Sequence, residues 1–146
     1  IEGLPEFLAT ISQEYTKRVL PDYLPDGTKV AFRVWAVSQW AGDFNPIHIH
    51  DSNLSGVCFL KIPPKFDEEY AKEDHHPTAG CLEFIGSVPN HFARHSFLAK
   101  PEVGDFYIFP SWLTHQVYPF RSDGERRSMA FNVHFTMKEP VKGLNV

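Results

Sequence analysis

Cysteine is scarce in this 146-residue chain, which has only Cys58 and Cys81. Two residues cannot build a disulfide framework, and they are too few for a thiolate zinc site. They read as buried thiols in adjacent strands and suit a reducing, cytoplasmic setting. Long apolar runs are also lacking. None approaches the ~18 residues that would span a bilayer. No secretory leader opens the chain, and residue 1 is Ile, as in a chain trimmed at its start. Positive charge is in deficit, with 14 Lys and Arg against 18 Asp and Glu for a net charge of −4. A phosphate backbone calls for the opposite sign, clustered on one face, and the basic residues here are scattered. Neither nucleic acid nor membrane is an expected partner.

Aromatic residues, by contrast, are plentiful. They make up 14% of the chain, 13 of them Phe, and are interrupted by 12 Pro and 9 Gly. That mixture favours a β-sandwich or barrel. One domain over 1–146 is expected, with a helix and loop over 1–28 and a β core over 29–137. Leu4 to Leu20 reads as a helix. Pro5 suits its first turn, and Leu8, Ile11, Tyr15 and Val19 form one apolar face. From Lys29 the period falls to two, and about eight strands follow. They begin near Lys29, Phe44, Leu54, Gly80, His95, Phe106, Thr114 and Arg126, the last running to Met137. The dense apolar run Leu54–Ile62 is expected to be central. Lys65–Ala79 is charged and reads as a surface excursion with room for a helical turn. The fold class expected is an all-β double-stranded β-helix, a cupin-like jelly roll with one N-terminal helix.

Eight His residues stand in the chain, and their spacing carries the chemistry. In Ile47-His48-Ile49-His50, strand alternation sends both imidazoles to one face and both isoleucines to the other. Two neutral imidazoles on one face make a metal pair; they are equally compatible with a polar strand face. His115 opens a later strand, after the aromatic turn Phe109-Pro110-Ser111-Trp112. Arg126 opens the last strand and shares a face with Ser128, Ala130 and Asn132, while Arg127, Met129, Phe131 and Val133 share the other. A fixed guanidinium beside a hydroxyl suits a carboxylate anchor.

The run Asn45-Pro46-Ile47-His48-Ile49-His50 is followed by Leu54-Ser55-Gly56-Val57. Further on come Gly104-Asp105, Phe109-Pro110-Ser111-Trp112-Leu113-Thr114-His115, Glu125-Arg126, Ser128 and Phe131-Asn132. Together they resemble the H-x-H…L-S-G-V…F-P-S-W-L-x-H…E-R-x-S-x-x-F-N pattern of Fe(II)/2-oxoglutarate-dependent oxygenases related to the prolyl hydroxylase branch. The likeness covers the chain from about Trp40 to Asn132. It implies a dioxygenase that hydroxylates a small-molecule or peptide substrate with dioxygen, iron held by His48 and His115, and 2-oxoglutarate gripped by Arg126 with help from Ser128. The wider superfamily pairs its two histidines with a carboxylate. Here His50 stands in that position and is the expected third ligand, with Asp51 as the fallback.

Two other functions fit the same residues. One is a cupin-like metal-dependent dioxygenase or isomerase without 2-oxoglutarate, and the other is a jelly-roll binding module without turnover. Oligomeric state is left open. Among the remaining residues, His75 and His76 read as solvated, and His91, His95 and His134 as surface groups. Trp112 is a candidate substrate platform and Lys61 a candidate second cosubstrate cation. Asn45 and Ser55 could hydrogen-bond groups around the metal.

Overall fold

The structure is a computed structural model and describes residues 2–21, 24, 28–72, 77–86, 91–92 and 94–136. His75, His76 and Met137 lie outside the described residues. Helix α1 spans Leu4–Val19, with Pro near its start, Glu6 in the first turn and Lys17 and Arg18 in the last. These charges complement the helix dipole at both ends. Its apolar face packs as expected at Leu8, Ile11 and Tyr15, but the rest of the buried stripe differs. Leu8, Ser12 and Thr16 are buried, and Val19 is exposed. The two hydroxyls can be buried because each donates back to a carbonyl one turn earlier, Ser12 to Leu8 (2.6 Å) and Thr16 to Ser12 (2.8 Å).

Eight strands follow among the described residues: β1 (Lys29–Gln39), β2 (Asn45–His48), β3 (Leu54–Lys61), β4 (Leu82–Ile85), β5 (Ser96–Ala99), β6 (Phe106–Pro110), β7 (Thr114–Val117) and β8 (Arg126–Thr136). They form two antiparallel four-stranded sheets in the orders β1-β8-β3-β6 and β2-β7-β4-β5. This is the expected jelly roll with its N-terminal helix, and β3 is central, flanked by β8 and β6. The charged excursion contains a second helix, α2 (Phe66–Lys72), which buries Phe66 against Ala79 and Phe120. No helix among the described residues is long and apolar enough to cross a membrane.

The first sheet is covered on both faces. Its inner residues Phe59 and Phe109 meet Leu82, Phe84 and Val117 of the second sheet. Its outer residues Leu54, Phe131 and Val133 meet Leu8 of α1. That double burial explains why β3 reads as continuously apolar rather than alternating. Neither Cys58 nor Cys81 is in a disulfide, and they do not sit in adjacent strands. Cys58 is half-buried in β3, and Cys81 is buried just before β4 in the opposite sheet. Equal apolar density in two segments could not reveal that the segments belong to different sheets.

Gly56 is required by packing. A Cβ there would lie 2.2 Å from Phe131 Cζ and 2.7 Å from the Tyr107 carbonyl oxygen. Phe131 is fully buried and has nowhere to retreat. Gly56→Ala is therefore expected to cost about 1–3 kcal/mol by overpacking. Thermal unfolding would register this as a Tm lower by roughly 3–10 °C.

Candidate active site

The register of β2 against β7 places His48 directly opposite His115. Their rings lie 4.2 Å apart, and the His50 ring lies 5.0 Å from each. The ligand-capable atoms of all three are within 4.8 Å of one another. Strand alternation behaves as expected, since Ile47 and Ile49 are turned outward and are 61% and 59% exposed. Asp51 is exposed and lies outside this group of three.

The tautomers follow from hydrogen bonds. His48 Nδ1 lies 2.7 Å from the Pro46 carbonyl, and His115 Nδ1 lies 2.8 Å from that of Leu113. A carbonyl can only accept, so Nδ1 carries the proton in both rings and each Nε2 keeps its lone pair free. Burial pushes His115 down to about 4, and the nearby His48 and His50 push it the same way. Burial, then His48, lowers His50. A neutral imidazole with its Nε2 lone pair available is the form in which His binds metal.

Deeper in the same recess lies Arg126, 2% exposed. The recess is lined by Trp35, Val57, Leu82, Phe109 and Ser128 as well as the histidines. One Arg126 guanidinium nitrogen, Nη1, donates to Gln39 Oε1, and the group lies 4.9 Å over the Phe59 ring. Its Nε is buried and has no hydrogen-bond partner. No carboxylate among the described residues pairs with it. Burial lowers its pKa to about 10, so it stays charged at neutral pH. A buried cation with an orphaned donor costs several kcal/mol unless an anion completes it. Arg127 faces outward and pairs instead with Glu125 at 2.8 Å, as the alternation along β8 requires.

Three sequence expectations are corrected or refined here. Lys61 is not a second cosubstrate cation. Its ammonium pairs with Glu125 Oε2 at 3.2 Å, and it does not line the recess. Trp112 does not line the recess either; it is 68% exposed in the turn between β6 and β7. Asn45 lines the recess directly, and it also bonds there to Gln39, a residue absent from the sequence reading. Gln39 Nε2 donates to Asn45 Oδ1 at 3.2 Å while Gln39 Oε1 receives Arg126. Gln39 thus links the guanidinium to the strand that carries His48. Its signal was present: Gln39 shares the inward face of β1 with Trp35 and Val37, and a buried amide on such a face needs partners.

A serine cluster braces the loops that present the rings. Ser55 donates to Asn132 (2.9 Å) and lies 2.9 Å from Ser111, which also contacts Ser52. The His50 backbone N–H donates to the Ser111 carbonyl at 3.0 Å. The Ser111 of the F-P-S-W turn therefore ties the His50 loop to the turn that precedes His115.

Known proteins resemble this chain in sequence pattern and in fold. The family model described as "Putative 2OG-Fe(II) oxygenase" matches residues 33–132. A prolyl-4-hydroxylase from Pseudomonas putida is similar in structure at a TM-score of 0.55 and 20% identity, covering 92% of this chain and 67% of its own. A 2OG-Fe(II) oxygenase family oxidoreductase from Burkholderia pseudomallei gives a TM-score of 0.54 and 14% identity. That alignment covers 89% of this chain, which spans only 57% of the Burkholderia protein. No curated protein sequence matches. At these identities the two structures speak for the fold. The family match takes in every block from Arg33 to Asn132, and the chain belongs to the 2OG-Fe(II) oxygenase family, whose enzymes use Fe(II) and 2-oxoglutarate.

Proposed function

We propose that His48, His50 and His115 hold Fe(II), and that Arg126, assisted by Ser128, holds the far carboxylate of 2-oxoglutarate. One observation carries this reading. Three imidazoles, two of them with Nε2 left free by their hydrogen bonds, share a recess with a buried guanidinium whose Nε has no hydrogen-bond partner among the described residues. Iron and 2-oxoglutarate, when bound, supply the oxidising chemistry: dioxygen is consumed, the 2-oxo acid becomes succinate and carbon dioxide, and the substrate gains a hydroxyl.

The chain's own contribution is position and exclusion. His48 and His115 are aimed by their Nδ1–H bonds to backbone carbonyls, so no rotation is needed on binding. Arg126 is held by Gln39 through Nη1, which leaves Nε for the ligand. Val57, Leu82 and Phe109 make the intervening wall apolar, which strengthens the guanidinium–carboxylate attraction. Three neutral ligands leave the full charge of a divalent ion uncompensated, so an anionic cosubstrate and the metal should reinforce each other's binding. The substrate class is a small molecule or a peptide, and the two cysteines, outside any disulfide, suit a reducing, cytoplasmic setting.

The test is succinate formation from 2-oxoglutarate with Fe(II) and dioxygen. Turnover of a substrate without succinate would instead favour a three-histidine cupin-type reaction. Arg126→Ala is expected to raise the 2-oxoglutarate requirement about 10- to 100-fold, as loss of a charge-assisted contact predicts, with metal content unchanged. Arg127→Ala should leave both at wild-type values. The reverse pattern would remove Arg126 from the site.

A further inference from the structure

The two long strands β1 and β8 continue past the recess. They pair without a register shift from Gln39↔Arg126 to Lys29↔Thr136. The inward face therefore runs on from Trp35 and Ala130, which line the recess, to Arg33, Ala31 and Lys29 on β1 and Asn132, His134 and Thr136 on β8. All of these outer residues except half-buried Asn132 are exposed. The second sheet does not cover them. They form an open platform leading to the metal-binding rings.

The platform is cationic in a chain whose net charge is −4. Arg33 and Lys29 form no ion pair with a described residue. Arg33 lies 5.9 Å over the Trp35 ring, and that ring lies 6.3 Å from the ring of His50. Asp51, in the loop from β2 to β3, is exposed and pairs with neither cation. Among the described residues β1 is also the edge of its sheet, so one side of its backbone can take an added strand. A chain laid there would point alternate side chains onto the same face as Trp35 and the recess.

We propose that the substrate is an acidic peptide bound in extended form along β1, with carboxylates on Arg33 and Lys29. This rests on the reading of the recess as the metal and cosubstrate site. Arg33 and Lys29 lie ~13 Å apart at the rise of a strand, which corresponds to acidic residues about four positions apart on the peptide. Arg33 lies two positions beyond Trp35, so the nearer acid stands about three or four residues from the one presented to the metal.

The experiment uses the Mn(II)- and 2-oxoglutarate-loaded protein and two labelled peptides of about ten residues, one alternating Glu and Thr, the other Lys and Thr. Fluorescence anisotropy should give the Glu peptide at least about tenfold tighter binding, weakening with salt. The double variant Lys29→Glu/Arg33→Glu should reverse the preference while metal content and 2-oxoglutarate binding stay unchanged. Mn(II) should broaden the proton resonances of the bound Glu peptide, and a Zn(II)-loaded control should not. Equal binding of the two peptides, a preference unchanged in the variant, or binding without broadening in protein that holds Mn(II) overturns the proposal. So does self-association through β1 that the double variant abolishes. Failure of the wild-type protein to retain Mn(II) tells against the metal site instead. The anisotropy arms run equally on that protein, so the two failures are distinguishable.

Discussion

His115→Ala is expected to emerge from purification and metal reconstitution with essentially no bound iron. Three ligands are the working minimum for a firm non-haem site. His115 is also the member best prepared for the role, being 4% exposed and locked by its bond to the Leu113 carbonyl. It sits opposite His48 in the ladder, so its loss leaves His48 and His50 without the ring that closes the triangle. The ring also packs 4.9 Å from that of Phe109, so truncation opens a cavity and lowers stability by about 1–3 kcal/mol. Metal should therefore be measured on protein shown to be folded by circular dichroism. Iron content near wild type in folded His115→Ala would reject the centre. Paired variants identify the third ligand. His50→Ala should strip most of the metal and Asp51→Ala should strip none; the opposite result would make Asp51 the ligand.

Gln39→Glu should separate cosubstrate binding from stability. The new carboxylate would stand where Gln39 Oε1 already meets Arg126. It would complete the guanidinium internally and so do what an incoming carboxylate does in the native protein. Affinity for 2-oxoglutarate should fall about 100-fold or more, because the ligand must now displace a buried ion pair. Affinity for 2-oxobutyrate, which lacks the far carboxylate, should change little. The metal-free variant should melt higher than wild type by a few °C, since an unpaired buried charge has gained a partner. Asn45 must turn its amide to donate to the new carboxylate, which the 3.2 Å contact allows. Equal loss of both 2-oxo acids would assign Gln39 a purely structural part. Unchanged 2-oxoglutarate affinity would remove Arg126 from the cosubstrate site.

Much of this was legible in the residues, for identifiable reasons. A period of two is a property of the extended backbone, so the inward turn of His48 and His50 and the outward turn of Ile47 and Ile49 could be read without knowing any neighbour. The same rule separated Arg126 from Arg127. A face chosen by what covers it is less legible. Helical spacing marks Leu8, Ile11, Tyr15 and Val19 as the apolar face of α1, and the first three pack on the sheet, but Val19 is exposed and Ser12 and Thr16 are buried, their hydroxyls bonded to their own helix. Lys61 looked free for a ligand because Glu125, its partner, lies 64 positions away.

The sequence by itself determined the elements and the facing of each side chain, since both depend on local backbone geometry and on patterns a few residues long. Only the tertiary structure decided what meets what. The 4.2 Å approach of His48 and His115 comes from the pairing of β2 with β7. The hold of Gln39 on Arg126 comes from the register of β1 on β8. Such contacts join residues dozens of positions apart. They exist only once two sheets close on a common core and exclude the water that would otherwise satisfy each group alone.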